Sequence, residues 1–212
     1  MADLKQIAEA LKAGRAPKVK TLVQEALDEG IAPEVIVNEG LIVGMGEIGE
    51  LFKNNEIYVP EVLIAARAMN AGLAILEPLM TERGVKPVGT VAIGTVKGDL
   101  HDIGKNLVAM MLKGAGFKVI DLGIDVAPEK FVETAIKENA DIIAISALLT
   151  TTMGGMKETV DAVKAAGLAN KVKVMIGGAP ITQAYADEIG ADGYSSDAAS
   201  AAQLALRLVG AA

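Results

Sequence analysis

The single histidine of the chain, His101, stands in the segment Asp99-Leu-His101-Asp102-Ile103-Gly104 and is the side chain best suited to metal chemistry. A neutral imidazole is the commonest nitrogen ligand for a metal ion. Its second ring nitrogen is usually held by a carboxylate, which fixes the tautomer and raises ligand basicity. Asp99, two residues upstream, reaches the ring if the loop is extended. A lone histidine is more often structural or simply exposed than a ligand, so the residue alone decides nothing. The chain has no cysteine, which excludes disulfides, iron–sulfur clusters and thiolate zinc sites, and one histidine leaves too few strong donors for zinc. A group that carries four equatorial nitrogens of its own needs only one more from the protein. That arithmetic favours a macrocyclic metal cofactor over a bare ion.

Other uses of this segment fail on spacing. A Walker phosphate loop places four residues between its glycines and follows its Lys with Ser or Thr. Here Gly98 and Gly104 enclose five, and Lys105 is followed by Asn106. The dinucleotide pattern Gly-x-Gly-x-x-Gly is absent after the first expected strand. A phosphorelay receiver needs an acceptor Asp after its third strand and a Lys after its fifth, where Ser146 and Ser195 stand instead. Lys97 and Asn106 flank the histidine and suit solvent exposure as well as ligand contact.

The elements that must position these residues change character along the chain. Residues 1–86 read as helices only. Leu4, Ile7, Ala8 and Leu11 recur at helical spacing before Gly14, and Pro17 opens a second run ended by Gly30. Pro33 takes a first-turn position in a long segment reaching about Phe52. Its Gly40, Gly44, Gly46 and Gly49 are poor helix formers, explained most simply by close helix–helix approach. A fourth helix follows Pro60 and continues to about Arg83, which makes a small four-helix bundle. After a linker at Gly84–Pro87 the pattern alternates. Strands are expected at 88–95, 118–121, 141–146, 173–176 and 193–194, with helices near 103–115, 128–139, 153–166, 182–189 and 198–209. The fold class is therefore α/β: a helical cap domain, residues 1–86, followed by a doubly wound five-stranded parallel sheet of flavodoxin or Rossmann type, residues 87–212. Such sheets bind ligands beyond the C-terminal ends of their strands. The loops there hold Lys97–Asn106, Ser146-Ala-Leu148-Leu-Thr150-Thr-Thr152 and Gly177-Gly178-Ala-Pro180, and Tyr194 ends the fifth strand.

Composition narrows the setting. Half the residues are apolar but only 3% are aromatic, so the core is aliphatic, as in helices packed on buried Val/Ile strands. The net charge is −7, and residues 1–86 carry 9 basic against 13 acidic side chains, residues 87–212 11 against 14. No basic cluster is available to displace nucleic-acid counterions, so no nucleic-acid partner is expected. The N-terminus lacks signal-peptide order and no apolar run is expected to reach the ~20 residues that span a bilayer. The expectation is a cytoplasmic protein without a membrane partner.

Taken together, Asp99-x-His101-x-x-Gly104, Ser146-x-Leu148 and Gly177-Gly178 resemble the cobalamin-binding signature of methionine synthase and of corrinoid proteins in methyltransferase systems. Gly49-Glu-Leu-Phe52, Tyr58-Val-Pro60-Glu-Val and Ala66-Arg-Ala-Met69 resemble the helical cap of the same proteins. The resemblance implies that His101 replaces the cofactor's own base as the lower ligand of cobalt, with Asp99 and Thr152 as a relay behind it. It implies that Asp102, Ile103, Gly104, Ser146, Leu148, Thr150, Gly177, Gly178 and Tyr194 surround the cofactor and its buried tail, and that Phe52 and Val59 cover its upper face. The implied role is a methyl carrier between a donor-specific methyltransferase and an acceptor methyltransferase acting on a folate or thiol, with a reductive activation protein as a further partner. Two other classes share the signature: the small subunit of adenosylcobalamin mutases, and cobalamin-sensing regulators. The first lacks such a cap, and the second calls for a basic DNA-binding face.

Overall fold

The computed structural model describes residues 3–211. The chain parts into two compact units: residues 1–87 with 114–116, and residues 88–113 with 117–212.

The first unit is helical. α1 (Leu4–Lys12) is capped by Asp3, whose carboxylate accepts the Lys5 N–H, and α2 (Ala16–Asp28) carries Pro17 in its first turn. The long third segment is not uniform. It opens as α3 (Pro33–Ile36), widens into a π-helical stretch (Val37–Ile42) and resumes as α4 (Val43–Lys53). Residue periodicity carries no mark of that extra residue per turn.

Two of its four glycines answer to helix packing. A Cβ on Gly44 would lie 2.9 Å from the Ala8 Cα, and one on Gly40 would lie 3.2 Å from the Ile7 side chain, so both face α1. Gly46 meets nothing within 4 Å. Gly44→Ala is therefore expected to cost about 1–3 kcal/mol by overpacking against backbone, whereas Gly46→Ala should gain about 0.5–1 kcal/mol of helix propensity. Urea unfolding of the two variants, monitored by circular dichroism, checks the opposite signs.

α5 (Val59–Glu82) starts with the Glu61 carboxylate accepting the Tyr58 N–H and continues through Pro78. By length and composition this helix is apolar enough to cross a membrane, contrary to the expectation that no apolar run is long enough. Glu61 and Arg67 break the run without making the helix polar. Its apolar face is nevertheless used within the unit: Val62, Ala65, Ala66, Ala68, Met69, Gly72 and Leu76 are buried, and Gly72 lies against Val19 and Leu41.

The second unit is a five-stranded parallel sheet in the order β2-β1-β3-β4-β5, comprising β1 (Thr90–Thr95), β2 (Lys118–Asp121), β3 (Ile142–Ser146), β4 (Lys173–Gly177) and β5 (Gly193–Ser195). The helices between and after the strands are α6 (Ile103–Gly114), α7 (Pro128–Glu138), α8 (Gly154–Ala165), α9 (Gln183–Ile189) and α10 (Ala198–Leu208). A 3-10 turn (Thr150–Thr152) precedes α8. β1 begins two residues later than its Val run suggests, because the ladder opens at Thr90↔Lys118 and the Thr90 N–H donates to Asp141 beside it. Strand order reverses between β1 and β3, so the loops after β1, β2 and β3 emerge side by side at the C-terminal edge. β1 is buried along its whole length, as a strand covered on both faces must be. Phe131, Met156, Ile143 and Ile176 belong to the core behind it.

Candidate cofactor site

The site is built on the loop that leaves β1. Thr95, fully buried, donates from its hydroxyl to the His101 carbonyl at 2.9 Å, and this turns the loop back over the strand end. Asp99 is completely buried. One carboxylate oxygen accepts from His101 twice, at 2.7 Å from Nδ1 and 3.1 Å from the backbone N–H. The other accepts the N–H groups of Leu148 and Leu149 at 2.8 and 3.2 Å, and Thr152 Oγ1 lies 2.9 Å from it. The Leu149 carbonyl also lies 2.9 Å from Thr152 Oγ1, so one hydroxyl proton serves two acceptors in turn.

Burial pushes the Asp99 carboxyl up, but the hydrogen bonds from Leu148, His101 and Leu149 outweigh it and hold the group well below the usual carboxylate range. Asp99 is thus ionised at neutral pH and can only accept. Nδ1 of His101 must carry the proton in that bond, which leaves the lone pair of the neutral ring on Nε2. The His101 side chain is 52% exposed while its partner carboxylate is 0% exposed. A ring locked at one nitrogen from below and open at the other is the arrangement a metal ligand requires.

The apolar residues nearby reinforce this reading. Leu100, Ile124, Leu148 and Leu149 are exposed large aliphatic side chains on the loops after β1, β2 and β3, and Ile103, at the start of α6, is 72% exposed. Exposed apolar side chains gathered on neighbouring loops mark a binding face. Gly104, in the first turn of α6, has open space where a Cβ would stand. Asp102 precedes α6, and its side chain accepts from Asn106 Nδ2 at 3.1 Å.

The other expected residues occupy the neighbouring strand ends. Ser146 pairs with Gly177 across β3 and β4, and Tyr194 pairs with Ile176 while its side chain packs partly against the core. Thr150, exposed, opens the 3-10 turn. Gly178 has φ +136°, and a Cβ there would collide with the Ala147 carbonyl, so its glycine is already required by the crossing of the two loops. A Cβ on Gly177 would lie 3.2 Å from the Ser195 carbonyl oxygen, a tight approach rather than a collision. Phe52 and Val59 belong to the helical unit, at the end of α4 and the start of α5, both half-buried.

Several contributors were not visible in the residue pattern. Three of the Asp99 donors, on His101, Leu148 and Leu149, are backbone amides, which have no residue signature. Lys105 is 2% exposed, and its ammonium lies 2.6 Å from both Asp121 oxygens and 2.7 Å from Asn106 Oδ1. Burial raises the Asp121 carboxyl, but the Lys105 hydrogen bond prevails and lowers it. Asn106 is therefore tied between Asp102 and Lys105. Among the described residues no group of three or more His, Asp or Glu could hold a bare metal ion.

Residues 89–203 and residues 3–77 each match a family model described as a B12 binding domain. A dimethylamine corrinoid protein of Methanosarcina acetivorans is 43% identical, over 99% of this chain and 100% of its own length. The methanol:cobalamin methyltransferase complex of Methanosarcina barkeri contains a chain with TM-score 0.86 and 32% identity, covering 97% of this chain and 79% of that one. A cobalamin-binding protein of Desulfitobacterium hafniense matches with TM-score 0.82 and 32% identity, over 98% and 99%. The chain belongs to the B12-binding family, among the corrinoid proteins of methyltransferase systems. Its cofactor is cobalamin. The residues present fit that group: one exposed imidazole nitrogen for a metal that brings its own equatorial donors, an aliphatic surface around it, and open space at Gly104.

Proposed function

We propose that the chain carries a methyl group on cobalamin between two methyltransferases, with Nε2 of His101 as the lower cobalt ligand and the cofactor's own base displaced. The observation that carries this reading is the half-exposed imidazole whose Nδ1 is held by a buried, ionised carboxylate. When bound, cobalamin supplies a cobalt ion that takes up a methyl group and gives it to an acceptor.

The protein's own part is to set the state of one ring. Asp99 fixes the tautomer and makes Nε2 a better donor; Thr152 steadies the far oxygen of Asp99. With Nδ1–H donated to Asp99, Nε2 is the ring atom that would hold the metal or, when not holding it, accept a proton. Ile103, Leu148 and Gly104 accommodate the cofactor at the sheet edge; Ser146, Thr150, Gly177, Gly178 and Tyr194 border the path of its tail, and Asp102 steadies the turn. Phe52 and Val59, on the helical unit, shield the methyl face from water. The partners are a donor-specific methyltransferase and an acceptor methyltransferase using a folate or thiol, with a reductive activation protein restoring the oxidised cofactor. The donors to assay first are those in the names of the relatives, methylated amines and methanol.

A retention experiment tests the carrier reading. The protein is mixed in the dark with methylcobalamin or adenosylcobalamin and passed through a desalting column. Equimolar retention of methylcobalamin is the expected outcome; retention of the adenosyl form alone assigns the chain to the mutase class.

A further inference from the structure

We infer that Asp125, in the connection between β2 and α7, is a positioning residue for His101, an inference that rests on reading His101 as the cobalt ligand. The sheet order explains why a grip is needed there. β1 lies between β2 and β3, so the loop after β1 has a neighbouring loop on each flank. On the β3 flank, Leu148, Leu149 and Thr152 hold the side chain of Asp99. On the β2 flank the backbone is held instead. The Asp125 carboxylate accepts the Gly98 N–H at 2.6 Å, and the Asp125 N–H donates to the Asp99 carbonyl at 3.1 Å. These reciprocal bonds bracket Gly98-Asp99, the two residues from which the loop sets out toward His101.

The conformation of Asp125 is unusual in the way such a grip requires. Its φ is +53°, a left-handed value shared among the described non-glycine residues only by Asn55 and Asn139. Asn139 is a helix C-cap and Asn55 follows the end of α4, where such values are common. Asp125 does neither. It is held between the Thr95 N–H to Gly123 carbonyl bond at 3.0 Å and the Val126 N–H to Thr95 carbonyl bond at 2.9 Å, beside the Val96↔Val126 bridge. Asp is one of the few residues that combine tolerance of this region with a short acceptor side chain. A second anchor on the same flank, Lys105 on Asp121, fixes the first turn of α6 just beyond the histidine. The loop is thereby tied on both sides of His101, and on the β2 flank Asp125 is the tie nearest to Asp99.

Three substitutions separate the acceptor from the backbone conformation. Asp125→Asn keeps an acceptor oxygen and tolerates the left-handed region, Asp125→Gly keeps only the conformation, and Asp125→Ala keeps neither. The untagged chain has a single histidine, so each readout concerns one ring. In the unloaded protein, solvent exchange of the Nδ1–H proton is followed by NMR with 15N-histidine. In the protein loaded with cob(II)alamin, the ratio of histidine-bound to histidine-free cobalt is read from EPR across pH. Asp125→Asn should match wild type. Asp125→Gly and Asp125→Ala should show faster Nδ1–H exchange and a ratio lowered roughly tenfold, the low end for outer partners of a metal-bound histidine. Wild-type exchange and ratio in Asp125→Gly would overturn the inference, and the Gly–Asn comparison decides even if Asp125→Ala does not fold. If wild type itself shows no histidine nitrogen on cobalt, the ligand reading fails, while the exchange measurement still judges the grip.

Discussion

Replacing His101 by alanine is expected to leave a folded protein that still takes up cobalamin but has no protein nitrogen on cobalt. The side chain is half exposed and makes its one hydrogen bond to Asp99, so little packing is lost with it. The neighbouring strand-end loops and the aliphatic surface remain to hold the cofactor. Methyl transfer should fall by about 100-fold or more, because removing a ligand exceeds the roughly 10–100-fold loss seen when only its outer partner is removed. Equimolar cobalamin binding by absorbance, together with single-turnover methyl transfer from methylcobalamin to a thiol in the presence of the acceptor enzyme, measures both halves. Loss of binding with unchanged transfer per bound cofactor would show that His101 serves only retention.

Asp99→Asn should be nearly as damaging, by a different route. The backbone N–H groups of Leu148 and Leu149 can only donate, so they select the amide oxygen of an asparagine. The amide NH2 is then turned toward His101. It meets the backbone N–H of that residue as a second donor, and it stabilises the ring with the lone pair on Nδ1 and the proton on Nε2. That tautomer presents no electron pair to a metal. Histidine-bound cobalt should therefore fall roughly 10–100-fold, although the new side chain has almost the same shape. Asp99→Ala goes further, leaving buried donors unpaired at a cost of about 3 kcal/mol or more.

The sign of the pH dependence follows from the lowered carboxyl. Asp99 is more acidic when folded than its ordinary value of 3.8, so its stabilisation is present above that value and lost as pH falls through the folded one. The stability gap between wild type and Asp99→Asn, measured by urea unfolding, should shrink as pH falls below about 4. A gap that persists undiminished well below about pH 4 would contradict the assignment of Asp99 as an ionised acceptor.

Much of this was legible in the residue order because the sheet is buried on both faces. Runs such as Ile142-Ile-Ala-Ile145 can be little else once helical periods flank them, and Pro128 and Gly190 mark helix ends within a residue of where they fall. Asp99 and His101 were legible as a pair because two residues of extended loop are the right length for a carboxylate to reach a ring. What was not legible depends on chain crossings. The amides of Leu148 and Leu149, the burial of Lys105 on Asp121 and the left-handed Asp125 all exist only after β2 and β3 are placed on either side of β1. The π-helical stretch at Val37–Ile42 left no mark in the apolar pattern. Gly178 was read as room for a ligand tail, and the crossing with Ala147 supplies a second reason internal to the chain.

The most direct measurement uses the single histidine as its own label. Untagged protein grown with 15N-histidine is loaded with cob(II)alamin, and its EPR spectrum is compared with that of unlabelled protein. Coordination through His101 converts the nitrogen triplet on each cobalt line into a doublet. A triplet unchanged by the label means that the cofactor's own base still occupies the lower position, and His101 is then not the ligand.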